Sequence, residues 1–383
     1  MVFFVIFVCL MLLHWIRITD MSMKRFFVIV SVVLFAAGCT GRTHYWKGAD
    51  IGWATEYESR GLEFFNRDGE VRECTALMKE LGLDAVRFRV WVDPSAHGGW
   101  NGVEDLLEKS RRAHELGMAI MVDFHYSDFW ADPKKQNIPA SWSGKGYETV
   151  KDSLAAHTRY VLGRLKKEGI APKWVQVGNE ISNGFLWTVR GNHWGDPVPD
   201  SLGRVTILES VGHLHENPSQ YAGLFAAGYD AVKDVFPDAS VIVHLDNGFW
   251  QPLYDSNLDT LKKYGARWDI VGMSLYPFWA LDSGLETDED EAITHCIDNI
   301  SHVWEKYGTP VMLVETGFEV DESRPEVMEK GREQLRRIIR ESKATGHCEG
   351  IFYWEPECRP SQYKLGAFDS EGRPTVIMDA FAD

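Results

Sequence analysis

Short runs of apolar or alternating residues recur along the chain, separated by longer stretches whose apolar positions repeat every three or four residues. The first pattern indicates β-strands, and the second is typical of amphipathic helices. The clearest helical stretches are EVRECTALMKELG, VEDLLEKSRRAHELG, YETVKDSLAAHTRYVLGRLKKEG, SQYAGLFAAGYDAVKDVF and RPEVMEKGREQLRRIIRESKATG. Eight candidate strands lie around them: KGADIGW (Lys47 to Trp53), DAVRFRVW, MAIMVDFH, KWVQVGNE, SVIVHL, DIVGMSLYP, PVMLVET and GIFYWEP.

This order of strand followed by helix predicts a single-domain α/β fold, the (β/α)8 or TIM barrel. A doubly wound open sheet also alternates strands and helices, but no glycine-rich phosphate turn follows the first strand. No internal repeat or linker divides the chain. We therefore predict a barrel over residues 48–383, preceded by a short tether at residues 39–47.

The first 38 residues have the composition of a leader. Met23-Lys24-Arg25 precedes an apolar run that ends at Gly38-Cys39, the charged, apolar and small-residue order of a secretory signal. The segment before Cys39 resembles a bacterial lipobox, with Cys39 as the lipidated residue. An earlier apolar run, Val2 to Ile16, is explained by a true start at Met23, since a membrane-spanning helix needs about 20 residues.

Charge and cysteine content exclude several classes of protein. Removal of residues 1–38 takes away three basic residues and one acidic residue, so the net charge changes from −16 to −18. Such a surface repels nucleic acids and other polyanions. No CxxC spacing of a zinc or redox site is present, and the remaining cysteines are expected to be packed thiols, although export permits a disulfide.

Active sites of (β/α)8 barrels lie at the C-terminal ends of the strands. In this sequence those ends are unusually polar or aromatic, which predicts a site there. The residues concerned are Arg87, Arg89, Trp91, Asp123, His125, Asn179, Glu180, His244, Asp246, Asn247, Tyr276, Glu315, Trp354 and Glu355.

Glu180 and Glu315 are the strongest catalytic candidates, because each carboxylate ends an otherwise largely apolar strand. The fourth and seventh strands of a barrel end at the same rim, where two side chains can converge. Hydrolysis of a glycosidic bond with retention needs two carboxyl groups about 5–5.5 Å apart. The alternative is a structural role, in capping helices or pairing with Arg87 and Arg89.

The motif Gly178-Asn179-Glu180 together with Glu315 resembles the clan of retaining (β/α)8 glycosidases. Within that clan, VRFRVWVDP, DFHYSDFWADP, QVGNEISNGFLW, GMSLYP and FYWEP resemble glycoside hydrolase family 53, the endo-β-1,4-galactanases, from about Gly48 to Phe381. The resemblance implies that Glu180 is the general acid/base, that Glu315 is the nucleophile, and that Asn179 binds the sugar 2-hydroxyl.

The resemblance also implies that an arginine and Tyr276 hold the nucleophile. Arg87 and Arg89 share one face of a strand, so spacing does not decide between them, and we favour Arg87 because it matches the clan's strand-two arginine. The other expected substrate contacts are aromatic platforms and polar groups at the strand ends. These are Trp91, Trp130, Trp187 and Trp354, and Asp123, His125, His244, Asp246 and Asn247.

We expect no required cofactor. A metal role for His125 with Asp123 is disfavoured because no second histidine follows four residues on. The acidic run Glu286 to Glu291 is explained as the first turn of a helix, which favours negative charge. Some bacterial members of the family that this sequence resembles bind calcium in other loops, and the resemblance leaves a structural calcium ion as an open expectation.

The expected function is endo-hydrolysis of β-1,4-galactosidic linkages in the neutral (arabino)galactan side chains of pectin. We expect a monomer, exported as a lipoprotein and anchored to the outer membrane, on the cell surface where long galactan is met. The 37-residue loop Ile181–Asn217 is expected to shape the cleft. The alternatives are another retaining glycosidase, such as a β-mannanase or cellulase, and a non-catalytic glycan-binding lipoprotein.

Overall fold

A computed structural model describes residues 44–382 of the chain. Eight parallel strands, numbered in chain order, neighbour one another in the order 1-8-7-6-5-4-3-2, and the first strand also pairs with the second, which closes the sheet into a barrel. The (β/α)8 prediction is therefore confirmed. The strands are β1 (Trp46–Asp50), β2 (Ala85–Val90), β3 (Ala119–Phe124), β4 (Trp174–Val177), β5 (Ser240–Leu245), β6 (Ile270–Leu275), β7 (Val311–Thr316) and β8 (Cys348–Trp354).

Helices between the strands cover the barrel through one apolar face. The helix Val103–Glu115, for example, buries Leu106, Leu107 and Ala113 at the spacing that places side chains on one helix face. The helices are Ala54–Ser59, Cys74–Glu80, Val103–Glu115, Tyr147–Lys167, Pro218–Val235, Gln251–Lys263, Pro277–Asp282, Glu289–Tyr307 and Pro325–Ala344, with 3-10 turns at Pro94–His97 and Val376–Phe381.

The interior of the barrel changes from apolar at one end to polar at the other. Trp174 fills the N-terminal end, where Trp46 and Phe352 meet its ring edge-on at centroid distances of 5.1 and 5.9 Å. Nearer the C-terminal ends, the buried residues include Arg87 and Asp123. Because buried charges are stable only when paired, this polar layer must be an organised network.

Two predicted boundaries differ from the structure. β1 begins at Trp46, which pairs with Gly350, so the predicted start of the barrel at residue 48 falls inside this strand. The helical stretch predicted from Glu70 begins only at Cys74, because Glu73 caps it by accepting hydrogen bonds from the backbone N–H groups of Thr75 and Ala76. The predicted leader and Cys39 lie outside the described residues.

The segment predicted as a loop, Ile181–Asn217, instead contains an antiparallel hairpin of strands Gly184–Val189 and Ile207–His213. Its alternating sequences, FLWTV and ILESV, are typical of strands. Gly184 has φ +79, and a Cβ there would lie 2.1 Å from the carbonyl oxygen of Gly212, so glycine is required at this crossing.

Two further features concern the described residues alone. None of their helices has both the length and the apolar character needed to cross a bilayer. Four cysteines are buried free thiols, Cys74, Cys296, Cys348 and Cys358.

Candidate active site

Arg87 is the centre of the polar network at the C-terminal rim. Its Nη1 lies 2.9 Å from Asp50 Oδ2 and 2.9 Å from Glu315 Oε1. Its Nη2 donates to Asp123 Oδ2 at 2.9 Å and to Asn179 Oδ1 at 2.8 Å. Burial opposes the charge of the guanidinium, but the three carboxylates outweigh it and raise the pKa of Arg87, which remains cationic.

Arg89 occupies a different environment, although it follows Arg87 by two residues on the same strand. Its guanidinium pairs with buried Glu355 and lies beneath the ring of Trp130, 4.2 Å from the centroid. The structure therefore places Arg87, and not Arg89, against Glu315.

Glu315 is turned into the barrel by an irregularity in the sheet. Met312 and Val314 pack in the barrel interior, so strict alternation along β7 would direct the next side chain outward. A register shift in the pairing of β6 with β7, between Met273 and Ser274, brings Ser274 opposite Glu315. Such bulges commonly redirect side chains at active sites.

The groups around Glu315 make its ionised form more stable than burial alone would allow. Burial raises its pKa, whereas the charge of Arg87 and the hydroxyl of Tyr276 oppose this rise and leave the pKa at about 7. The Tyr276 hydroxyl donates to Glu315 Oε2 at 3.0 Å. A carboxylate held by a cation and a hydroxyl is suited to act as a base or nucleophile.

Glu180 follows β4 through a tight turn in which Gly178 has φ +84 and Glu180 itself has φ +47. The strained backbone directs a half-buried carboxyl toward β6, where the Ser274 hydroxyl donates to Oε1 at 2.6 Å. Burial and the charges of Glu315 and Asp246 raise the pKa of Glu180 well above its usual value. Of the two carboxyls, Glu180 is therefore the one that retains a proton.

Asp123 and His125 support this network from β3 and the residues just after it. The ring Nδ1 of His125 accepts a hydrogen bond from the backbone N–H of Ala131 at 3.1 Å, so its Nε2 carries the proton that faces Asp123 Oδ2 at 3.0 Å. Asn179 donates to the Ala131 carbonyl oxygen at 2.8 Å. Both Asp123 and His125 are buried, so their contacts hold Arg87 and the loop that follows β3 in place.

His244 and Asp246 come from β5 and the turn after it. The imidazole of His244 is buried, and burial followed by the charge of Arg87 lowers its pKa well below the usual value. Asp246 accepts hydrogen bonds from Ser182 and from Asn247 Nδ2, and burial raises its pKa to about 6. Asp246 and Asn247 are partly exposed and can reach a ligand.

An aromatic cavity of about 860 Å³ opens beside this network, at the ends of β8, β1, β2 and β3. Trp130 and Trp354 line it with their ring centroids 5.8 Å apart. Rings of this kind suit the apolar faces of sugars, whose hydroxyls bind polar neighbours. The other aromatic residues of its lining are Trp53, Tyr57, Trp91, His97, Phe129, His193, Trp194 and Tyr363.

Two of the predicted aromatic platforms lie elsewhere or deeper than expected. Trp91 reaches the cavity but is only 2% exposed, so it mainly supports the ring of Trp130, 5.4 Å away. Trp187 is 4% exposed and does not line the cavity. It lies in the hairpin of strands Gly184–Val189 and Ile207–His213, where its indole donates to the Gly184 carbonyl oxygen.

The part of the chain that the structure covers holds no group of three or more metal-ligating side chains. In the acidic run, Asp288 caps the helix Glu289–Tyr307 by accepting from the backbone N–H groups of Asp290 and Glu291. The run is therefore explained by helix capping and by the charge preference of a first turn.

Several site residues were absent from the sequence prediction, namely Asp50, Ser274, Gln176, Trp53 and Tyr363. Asp50 is a carboxylate near the end of a strand, which is the same signal that predicted Glu180 and Glu315. Gln176 and Ser274 lie within strands and become visible only when inward-facing positions are identified. Trp53 ends the first predicted strand, so its position carried the same signal as the other strand ends, whereas Tyr363 lies in a connection whose path the pattern does not predict.

Replacing Tyr276 by Phe removes the hydroxyl donor from Glu315 and leaves the ring in place. Because that donor lowers the pKa of Glu315, its loss raises the pKa. On acidification, Glu315 then becomes protonated at a higher pH than in the parent. We expect the acidic limb of the kcat/KM profile to move upward by about one pH unit. Tyr229→Phe, which removes a hydroxyl from Asp269 outside the site, is the control. An unmoved acidic limb would disprove the contribution of Tyr276.

Two carboxyls lie at the C-terminal rim of a closed (β/α)8 barrel, beside an aromatic cavity. Glu315 is held by an arginine and Glu180 has a raised pKa, and this arrangement defines a class of enzyme. It is that of the glycoside hydrolases.

Comparison with known proteins identifies the family. The sequence profile of glycosyl hydrolase family 53 matches residues 46–373, and the chain belongs to this family. It is 30% identical to an uncharacterised protein of Niallia circulans, over 86% of this chain and 89% of that protein. It is 28% identical to the endo-β-1,4-galactanase of Bacillus subtilis, over 82% of this chain and 70% of that enzyme.

Solved structures agree with the fold. The catalytic domain of a family 53 protein from Ignisphaera aggregans superposes with a TM-score of 0.73 at 24% identity, and the match covers 90% of this chain and 97% of that domain. This similarity supports the barrel architecture.

Proposed function

We propose that this protein is a retaining endo-β-1,4-galactanase that cleaves internal linkages of the (arabino)galactan side chains of pectin. Glu180 is the general acid/base and Glu315 the nucleophile. The observation that carries the mechanism is the contrast between the two carboxyls. Arg87 and Tyr276 hold Glu315. Glu180 has a raised pKa and accepts a hydrogen bond from a neutral hydroxyl.

Support for the substrate comes from the family and from the charge of the protein. The Bacillus subtilis relative is an endo-β-1,4-galactanase, and it aligns with most of this chain. The net charge of −16 at pH 7 repels the anionic pectin backbone but not a neutral galactan chain. A galactan bound along the rim would place galactose rings against the aromatic cavity.

In the first step, a Glu315 carboxylate oxygen attacks the anomeric carbon of the bound galactosyl unit. The bond from that carbon to the glycosidic oxygen breaks, and its electron pair leaves with the oxygen, which takes the proton of Glu180. A galactosyl ester of Glu315 and a shortened chain result. Arg87 remains paired with Asp50 and Asp123 while Glu315 loses its charge.

In the second step, Glu180 is ionised and takes a proton from water as the water oxygen attacks the same carbon. The ester bond breaks, and Glu315 regains its charge beside Arg87 and Tyr276. Two inversions at one carbon give net retention. Asn179 contributes by binding the 2-hydroxyl with the second N–H of its amide, since its Oδ1 accepts from Arg87.

Trp130→Ala tests the role of the aromatic cavity in substrate binding. The ring of Trp130 lines the cavity, and we propose that a galactose face packs against it. Loss of this contact, worth about 1–1.5 kcal/mol, should raise KM for galactan about tenfold with a smaller change in kcat. Trp304→Ala is the matched control, because Trp304 is 40% exposed and stacks on His347 at the opposite end of the barrel. Equal KM values in the two variants would contradict this role.

A substrate panel tests the proposed activity. Residues 39–383 are incubated with linear β-1,4-galactan, β-mannan and cellulose, and reducing ends and product sizes are followed. We expect short galacto-oligosaccharides from galactan and little release from the other two. Release mainly from mannan or cellulose would favour another retaining glycosidase, and binding to galactan without hydrolysis would favour a glycan-binding protein.

We further propose that the protein is exported and anchored to the outer membrane through lipid on Cys39, acting there as a monomer at the cell surface. Support comes from the signal-like order of residues 23–39. The test is labelling of the full chain with a radioactive fatty acid in a bacterial host. Cys39→Ala should abolish the label and release the protein from membranes, and a labelled Cys39→Ala protein would refute the anchor.

A further inference from the structure

Ser274 connects Glu180 to His244 through a single hydroxyl. Its Oγ lies 2.6 Å from Glu180 Oε1 and 2.8 Å from His244 Nε2. Ser274 is 2% exposed and His244 is fully buried, so bulk water does not compete for these bonds. The roles derived above use the bond from Ser274 to Glu180, but not its continuation to His244.

The direction of the hydrogen bonds follows from the other side of the imidazole. The backbone N–H of Glu180 donates to His244 Nδ1 at 3.3 Å, and Gln176 Nε2 lies 2.9 Å from the same atom. Asn179 Oδ1 also lies 3.1 Å from Nδ1, but this oxygen already accepts from Arg87 Nη2 at 2.8 Å. A backbone N–H can only donate, so Nδ1 is an acceptor and the neutral ring carries its proton on Nε2. That proton points to Ser274 Oγ, and the serine hydroxyl must then donate to Glu180 Oε1.

We propose, on the basis of the proposed function, that Ser274 is a positioning residue that confines the transferable proton of Glu180 to Oε2. Oε1 accepts the serine hydroxyl whether Glu180 is ionised or protonated, so the acidic proton has its place on the other oxygen. Within residues 44–382, Oε2 has no hydrogen-bond donor of its own. The proton leaves Oε2 for the glycosidic oxygen in the first step and returns to Oε2 from water in the second.

The surrounding charges keep this arrangement in place. His244 stays neutral because burial and the charge of Arg87 lower its pKa well below the usual value. Its Nδ1 therefore remains an acceptor, and Ser274 continues to donate its hydroxyl hydrogen to Glu180. Groups on several elements also act on Glu180 and bear on any pH profile. They are Glu315, Asp246, Asp132, His244, Tyr254 and Tyr276.

The test is the dependence of Ser274→Ala on the leaving group of the substrate. Phenyl β-galactobioside needs proton donation to its poor leaving group, whereas 2,4-dinitrophenyl β-galactobioside does not. With the proton free to occupy Oε1, kcat/KM for the phenyl substrate should fall about 10- to 100-fold, and that for the dinitrophenyl substrate less than about threefold. The alkaline limb should also move to higher pH, because the hydroxyl lowers the pKa of Glu180.

Two further variants separate positioning from folding. Ser274→Thr keeps a hydroxyl and should preserve the ratio of the two kcat/KM values. Ser342→Ala removes another buried hydroxyl, bonded to Tyr45 at 2.7 Å, and should preserve it as well. Because each ratio compares two substrates in one preparation, it does not depend on the fraction of folded protein.

The outcomes distinguish this inference from the proposed function. If the parent cleaves neither galactan nor the aryl galactobiosides, the proposed function fails, and with it the inference. The role of Ser274 is overturned, while the galactanase assignment stands, if the parent is active and Ser274→Ala lowers kcat/KM equally for both aryl substrates. A change in the ratio of the two kcat/KM values in Ser274→Thr would overturn it as well.

Discussion

Glu315→Gln is expected to lose galactan hydrolysis by about 10⁴-fold or more, since no other group can form the covalent intermediate. The glutamine keeps the shape of the side chain, and Arg87 keeps its pairs with Asp50 and Asp123, so the fold should persist. Initial rates on galactan and thermal unfolding of the purified variant measure both effects. Glu349→Gln, a partly exposed carboxyl at the start of β8, is the matched control and should remain active.

Azide identifies the role of Glu315 independently. In Glu315→Gly, azide can occupy the vacated space and attack an activated β-galactobioside directly, with one inversion. The expected product is therefore the α-galactobiosyl azide. A β-azide product, or a Glu315→Gln variant that retains more than a few per cent of activity, would contradict the assignment of the nucleophile.

Glu180→Ala is expected to lose galactan hydrolysis by about 10²- to 10⁴-fold, the usual contribution of a general acid/base. The deficit should be much smaller for the first turnover of 2,4-dinitrophenyl β-galactobioside, whose leaving group needs no proton. The covalent intermediate should then accumulate, because no base activates water. A burst of dinitrophenol followed by a slow steady state, in stopped-flow absorbance, measures this.

Azide again discriminates, with the opposite stereochemistry. In Glu180→Ala it attacks the covalent galactobiosyl ester of Glu315, so the expected product is the β-azide and the steady-state rate rises. An equal loss of rate on galactan and on the dinitrophenyl substrate, with no effect of azide, would show that Glu180 is not the acid/base. The two azide products together assign both carboxyls.

The sequence pattern predicted the strands well because alternation and burial act locally. Each of the eight barrel strands overlaps its predicted segment, and the polar residues at their ends lie at one rim, as closure of the barrel requires. The pattern could not separate Arg87 from Arg89, which have the same spacing. Their neighbours decide: Glu315 comes from β7 and Glu355 follows β8, both far along the chain.

Two differences remain, one set by tertiary packing and one for which the local pattern already carried the signal. The bulge in the pairing of β6 with β7 places Ser274 opposite Glu315, and the alternation of residues along these strands does not mark it. Trp187 was expected in a loop over the cleft, but the hairpin Gly184–Val189 with Ile207–His213 buries it. The FLWTV and ILESV alternation was present in the sequence and would have predicted this hairpin.

The anomeric configuration of the first products shows whether the protein cleaves galactan with retention. Linear β-1,4-galactan is digested with residues 39–383, and the reducing-end anomeric signals are followed by proton NMR from the first minutes. Retention predicts that the β-anomer of short galacto-oligosaccharides forms first, and that the α-anomer follows only by mutarotation. Initial release of the α-anomer would contradict a double displacement by Glu180 and Glu315, and an unchanged galactan spectrum would contradict the galactanase assignment itself.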